Sequence, residues 1–325
     1  MSEITLVEAV TLALAHELDA DPSVLVLGED VGVNGGVFRA TAGLIERFPG
    51  RVIDTPLAEG LIAGMSVGLA AQGMRPVAEI QFMGFIYPTI DQMLNHAARL
   101  RNRTRGRLSC PMVLRAPFGG GIHAPEHHSD STEALFAHIP GLRVVIPSSP
   151  ARAYGLLLAA IRDPDPVVFL EPKRIYRLFK EHVADSGEAL PLDVCFVLRT
   201  GSDVTLVSWG AAVRETLAAA QALAASGIEA EVIDVATIAP LDMPTILESV
   251  EKTGRCVIVH EAAGNVGVGA EIAARLADQG LMSLFAPIKR VTGYDTIMPL
   301  AKLEKAYLPQ TERIVAAARE VLEAA

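Results

Sequence analysis

Cysteine is scarce in this chain: three in 325 residues, Cys110, Cys195 and Cys256. They lie far apart and without Cys-x-x-Cys spacing, which excludes a disulfide framework and fits a reducing compartment, so a cytoplasmic location is expected. Charge is also thin. Lys+Arg number 28 and Asp+Glu 38, together 20% of residues, below the roughly 25% of an ordinary soluble protein. The net charge of −10 excludes nucleic acid as the main partner, because an acidic chain repels phosphate. Long apolar runs are missing too. The longest charge-free stretch, Gly60 to Met74, holds 15 residues and four glycines, short of the ~20 that a membrane helix needs. The opening MSEITLVEAV reaches an acid at its third residue, so no signal peptide is expected. What is plentiful is apolar side chain, 50% of residues, enough to bury a large core and exclude disorder. At about 150 residues per domain the length predicts roughly two domains. The excess of apolar residues over charge predicts that another subunit covers part of the surface.

Several catalytic signatures are absent as well. There is no G-x-x-x-x-G-K-[ST] and no G-x-S-x-G, which argues against a self-sufficient NTPase and a serine hydrolase. Gly264 to Gly269 (GNVGVG) lacks the third glycine of G-x-G-x-x-G and reads as a tight strand-to-helix turn.

The chain alternates helix and strand. Thr5 to Glu8 forms a capping box before an amphipathic helix reaching about Leu18. The apolar run Val24 to Leu27, closed by Gly28, predicts a buried strand. Further strands are expected at Val77 to Gln81, Met112 to Arg115, Val144 to Pro147 and Val167 to Glu171, with helices at Leu61 to Gln72, Tyr87 to Leu100 and Ala151 to Arg162. The polar, aperiodic stretch Lys180 to Pro191 reads as a linker. The alternation then restarts with strands near Val204, Ala230, Cys256 and Ile288 and helices from Ala211, Met243, Gly269 and Gln310. This predicts an α/β chain of two doubly wound domains, 1–180 and 192–325, joined by a linker over 181–191. Residues 1–185 carry 17 basic and 20 acidic groups and residues 186–325 carry 11 and 18. The acidity therefore sits mainly in the second half.

Four features can carry chemistry. In Asp54-Thr55-Pro56-Leu57-Ala58-Glu59, Thr55 can serve as N-cap and Pro56 as first helical residue, which puts Glu59 in the first turn. Glu59 there can simply complement the helix dipole. Its apolar neighbours Leu57, Ala58, Leu61, Ile62 and Ala63 suggest instead a desolvated carboxyl that shares a proton near neutral pH. His123, His127, His128 and His138 fall within sixteen residues, after a glycine-rich segment. A general acid/base histidine on a functional loop fits better than zinc, because Pro125 and three glycines break the helix that His-x3-His ligation uses. The alternating Arg99, Arg101, Arg103, Arg105 and Arg107 can bind phosphate or, with no interleaved aromatics, pair with acids. Asp163-Pro164-Asp165-Pro166 reads as a turn whose oxygens can also cage a hard cation.

Taken together, Val26-Leu27-Gly28-Glu29-Asp30-Val31-Gly32, Gly35-Gly36-Val37-Phe38, Asp54 to Glu59, Ile80-Gln81-Phe82, His128-Ser129-Asp130-Ser131, Ala160 to Asp163 and Val168 to Tyr176 resemble the β subunit of the thiamine diphosphate-dependent 2-oxoacid dehydrogenase E1 component. The resemblance runs nearly end to end. It implies a transketolase-like pyrimidine-binding domain followed by a transketolase C-terminal-like domain, in an α2β2 heterotetramer with a second β subunit. Glu59 matches the glutamate that hydrogen-bonds the aminopyrimidine ring of thiamine diphosphate. Phe85 and Leu57 match residues contacting that ring, and Glu29 an acid facing the cofactor tunnel. His128 matches the loop histidine that passes the acyl group to the lipoyl domain of the E2 acyltransferase; His127 inherits no role. Met112, Ala160, Ile161, Asp163 and Asp165 match a potassium site built mostly from backbone carbonyls. The G-D-G…N signature for Mg2+ and diphosphate is missing here and belongs to the α subunit, so this chain alone is expected to be inactive.

Pyruvate is the first substrate choice, because the loop Pro117 to Ser131 resembles bacterial pyruvate members most. Branched-chain 2-oxo acids and acetoin follow. A non-catalytic nucleotide-binding or scaffold subunit is the reading from another class. The acidic second domain suggests a docking face for the basic subunit-binding domain of E2.

Overall fold

The computed structural model describes residues 2–324. It divides into two compact units, one taking in the chain to Phe118 and Leu135–Leu192, the other Gly119–Ala134 and the chain from Asp193 on.

In the first unit the strands run in the order Arg143–Val145, Val167–Pro172, Val113–Phe118, Arg75–Glu79, Val24–Gly28, Val52–Asp54. All neighbouring pairs among them are parallel. Val24–Gly28, Val113–Phe118 and Val167–Pro172 are buried along their whole length, which is why they read as continuous apolar runs rather than alternating ones. The Leu6–Ala20 helix opens as expected: the Glu8 carboxylate accepts from the Thr5 N–H and hydroxyl, both at 2.7 Å. It packs along the Pro150–Arg162 helix.

One expectation fails here. The helix expected over Tyr87 to Leu100 is broken into 3-10 turns at Tyr87–Thr89 and Ala97–Arg99 around a short Ile90–Asn95 helix. His96, at φ −119°, caps the Ile90–Asn95 helix and ends its regular run. The stretch expected as the linker makes contacts of its own. Glu181–Val183 pairs antiparallel with Ser2–Ile4. Beyond it the Tyr154 hydroxyl donates to Asp185 at 2.8 Å, Arg162 donates to the Gly187 carbonyl at 2.9 Å, and the Leu190 N–H donates to the Gly155 carbonyl at 3.0 Å. Its partners are side chains and a helix carbonyl rather than a sheet face, so no hydrophobic period marked it.

The second unit has a five-stranded sheet ordered Lys289–Gly293, Cys256–Ala263, Val204–Ser208, Ala230–Asp234, Phe196–Arg199. The last pair is antiparallel and the others parallel. Leu206, Val232, Val257, Ile314 and Val321 belong to its core. The Ala301–Tyr307 helix had no apolar period to announce it, because it buries Glu304 and exposes Leu303.

The histidine loop, expected within domain 1–180, belongs by its contacts to this second unit. The Gly121 and His123 N–H groups donate to Glu304 at 2.6 and 3.1 Å, and the Ser131 hydroxyl donates to Glu261 at 3.0 Å. Sequence order kept the loop with the strand it follows; buried carboxylates claim it for the other unit.

Candidate active site

In a parallel α/β sheet, ligands gather beyond the carboxyl ends of the strands. Glu29 directly follows Val24–Gly28, Leu57 and Glu59 follow Val52–Asp54, and Phe85 follows Arg75–Glu79. These three strands are neighbours, so the four cofactor candidates of the sequence collect at one sheet end. The loop between them is pinned from below. Asp54 accepts from the Gly32 N–H at 2.6 Å and the Val33 N–H at 3.1 Å. A Cβ at Gly32 would lie 2.8 Å from that carboxylate, so only glycine allows the approach.

Glu59 is the first residue of the Glu59–Ala71 helix, preceded by Ala58. The expected cap at Thr55 and start at Pro56 are therefore wrong, since the Thr55 hydroxyl donates to the Pro56 carbonyl at 3.1 Å. The later start brings Glu59 to the very positive end of the helix. The expected apolar wall does not close around it: Glu59 is half-buried, while Leu57 is 69% and Leu61 49% exposed. Glu29 is the carboxyl whose pKa is raised, first by desolvation, then by the charges of Asp30 and Glu59. Phe85 is half-buried and meets Phe82 edge-on at 5.8 Å. Phe82 meets Phe38 at 5.4 Å, and Phe38 meets Tyr176 at 5.2 Å.

Beneath this shelf lies an ionic network that the sequence reading missed. Arg115 is fully buried and donates to Glu171 through Nε at 2.6 Å and Nη2 at 2.8 Å, and to Glu79 through Nη1. The Tyr176 hydroxyl donates to Glu171 at 2.5 Å. Desolvation raises the Glu79 pKa, with Arg115 opposing it. A signal existed: one base and two acids interrupt three strand-forming runs, RPVAE, VLRAPF and VVFLEP, and isolated charges inside buried strands must find each other.

At the five residues expected at a cation site, most of the oxygens already have donors. Arg75 donates to the carbonyls of Ile161 at 2.8 Å and Asp163 at 3.1 Å. The Met112 carbonyl accepts from the Val167 N–H at 3.0 Å. The carboxylates are engaged by arginines, Arg143 to Asp163 at 3.1 Å and Arg101 to Asp165 at 2.7 Å. Ala160 would find its helical donor at Pro164, which has no N–H. Two of these carbonyls and both carboxylates thus face guanidinium groups, with which a cation would have to share them.

His128 lies in the other unit, closing a 3-10 turn over Glu126–His128. Its ring centroid is 4.4 Å from that of His127. No group of three His, Cys, Asp or Glu side chains among the described residues is placed to hold a metal ion, so the zinc alternative gains no support. Glu133 was missed altogether. It is buried, accepts from Trp209 Nε1 at 3.3 Å, and burial pushes its pKa up to about 7.

Comparison with known proteins adds a family. The pyrimidine-binding domain of transketolase matches residues 2–178, and the transketolase C-terminal domain matches residues 195–314. The pyruvate dehydrogenase E1 component subunit beta of Bacillus subtilis is 49% identical over 324 residues, covering 99% of this chain and 100% of that protein. The subunit of the same name from Acholeplasma laidlawii is 49% identical over 325 residues, covering 100% and 99%. A solved structure described as a split gene transketolase, inactive beta4 tetramer, superposes with a TM-score of 0.81 at 25% identity, covering 99% of each chain. The fold class expected from the alternation of strands and helices, and the resemblance stated from the motifs, both hold. The chain belongs to the transketolase-type family of E1 β subunits in which these pyruvate dehydrogenase components stand.

Proposed function

We propose that the chain is the β subunit of a pyruvate-decarboxylating E1 component and works with an α subunit in an α2β2 assembly. The observation that carries the reading is the convergence of Glu29, Leu57, Glu59 and Phe85 beyond three adjacent strand ends, in a chain similar to E1 β subunits along its whole length. These residues suit thiamine diphosphate: a carboxyl at a helix N-terminus, a half-buried aromatic ring and an exposed leucine. When bound, that cofactor supplies the electron sink that lets a 2-oxo acid lose carbon dioxide.

The chain's own residues hold and orient it. Glu59 keeps a proton shared with a ring nitrogen of the aminopyrimidine, and Phe85 and Leu57 wall the ring and exclude water. Glu29, already biased toward its protonated form, lines the approach and can hold a proton there. The α subunit brings Mg2+ and grips the diphosphate, for which this chain has no G-D-G…N signature. Leu57 and Leu61, open on this chain, gain their apolar cover from α, which completes the desolvation of Glu59. The carbonyls of Met112, Ala160, Ile161, Asp163 and Asp165 would be the ones to hold a potassium ion, at the end of the Pro150–Arg162 helix. His128 serves proton transfer as the acyl group passes to the lipoyl domain of E2, and the acidic second domain docks E2's subunit-binding domain. No helix among the described residues is long and apolar enough to cross a membrane. The three cysteines stand free, in keeping with work in the cytoplasm.

The test is co-expression with the α chain encoded alongside it. Decarboxylation of pyruvate and 3-methyl-2-oxobutanoate is then compared with an artificial electron acceptor. Turnover of pyruvate by the α2β2 assembly, and none by β alone, is expected. A clear preference for the branched acid moves the chain to the branched-chain class. Turnover of neither overturns the reading.

A further inference from the structure

The glycine-rich loop that carries His128 is held in an unusual way. Its anchors include backbone N–H groups, the Ser131 hydroxyl and the His123 ring, whose Nε2 lies 3.6 Å from Glu304 Oε2, and their acceptors are two buried carboxylates. Gly120 and Ser131 donate to Glu261, from the Cys256–Ala263 strand, the Ser131 contact measuring 3.0 Å. Gly121 and His123 donate to Oε1 and Oε2 of Glu304, from the Ala301–Tyr307 helix, at 2.6 and 3.1 Å. Glu261 is 6% and Glu304 3% exposed, so each carboxylate draws much of its solvation from the loop it grips.

The three glycines follow from that grip. A Cβ at Gly119 would lie 2.4 Å from Glu261 Oε1, and one at Gly120 would lie 2.0 Å from Met298 Cε. Gly119 and Gly121 have φ of +84° and +92°, which other residues rarely adopt. The segment is therefore a shaped ligand for two carboxylates, and its glycines serve close approach rather than mobility. Its far end returns through the Gly119 N–H, which donates to the Asp130 carbonyl at 2.8 Å. The turn bearing His128 is thereby closed between the anchored residues.

We infer that Glu261 and Glu304 are positioning residues that hold the His128 loop for acyl transfer to the lipoyl arm. The inference rests on the reading of His128 given above. Both act through the loop backbone and neither needs to touch the cofactor. Their loss should impair transfer to the lipoyl domain while leaving the decarboxylation half-reaction intact.

The experiment uses the cofactor-loaded α2β2 assembly with an isolated lipoyl domain of E2 as acceptor. In Glu304→Ala, kcat/KM for lipoyl acetylation should fall by about tenfold or more, since small misplacement of a reacting group is costly. Decarboxylation with an artificial acceptor should stay within about twofold of wild type. Glu304→Gln keeps one oxygen for two N–H donors and should lie between. Amide exchange over residues 119–131 should quicken about tenfold in Glu304→Ala, with the Val204–Ser208 strand unchanged. Should Glu304→Ala fail to assemble, Gly119→Ala reads the same device: at φ +84° its methyl group would lie 2.4 Å from Glu261 Oε1, and transfer should fall in the same way. Equal falls in both reactions, or wild-type transfer in Glu304→Ala or Gly119→Ala, overturns the inference. His128→Gln is run beside them. Loss of transfer in His128→Gln with none in Glu304→Ala removes this proposal alone. Unaltered transfer in His128→Gln removes the role of His128 and the proposal with it.

Discussion

Glu133 shows what burial does to one side chain. Desolvation holds its pKa near 7 against an ordinary 4.5, with Glu261 adding repulsion and the Trp209 hydrogen bond opposing. Below pH 4.5 both folded and unfolded chains carry the proton. As pH rises from 4.5 toward 7 the unfolded chain loses its proton first, so stability falls through that window and the loss persists above it. Glu133→Gln keeps an oxygen for Trp209 and removes the titration. It should raise the apparent Tm at pH 8 and change it little at pH 5; an equal shift at both values would contradict this. The neighbouring His260 is displaced the other way, held down to about 4 mainly by burial. It stays neutral at pH 7 while stacking on Trp209 at 5.0 Å.

At the scale of elements, the Arg115 network ties three adjacent strands together. Arg115→Met would strand Glu79 and Glu171 as buried acids, at a cost of about 3–5 kcal/mol. Replacing all three by apolar side chains of similar volume should cost far less, because no charge is left unpaired. Urea midpoints of the two variants distinguish the cases, and equal losses would contradict the account. The same elements show what could be read in advance. Val24–Gly28 and Val204–Ser208 were legible because buried parallel strands are apolar throughout. That Glu29, Glu59 and Phe85 stand beyond strand ends was legible through the apolar runs before them. Arg115, Glu79 and Glu171 were not, since each looks like an interruption of a strand until its partners come from distant sequence. The Ala301–Tyr307 helix was hidden for a related reason: it spends its buried face on Glu304, reversing the pattern that marks a helix. The contacts of the polar stretch after Lys180 were not legible, because its bonds are to helix side chains.

At the scale of the molecule, the low charge and high apolar content have a visible outlet. Leu57 and Leu61 on the first unit and Met282, Phe285, Ile297 and Leu300 on the second are exposed, apolar surface that another subunit can cover. On the proposed function, contact with α covers the first set. Leu61→Asp should therefore shift sedimentation from α2β2 toward smaller species, whereas an unchanged profile would place the α contact elsewhere. The central claim is that Glu59 handles the cofactor's proton in that assembly. Its most direct measurement is pyruvate decarboxylation by α2β2 carrying Glu59→Gln, with saturating thiamine diphosphate and Mg2+ and an artificial acceptor. The account predicts a fall in kcat of about 10²-fold or more, the usual worth of a positioned acid–base group, with assembly intact. Activity within about twofold of wild type would contradict it.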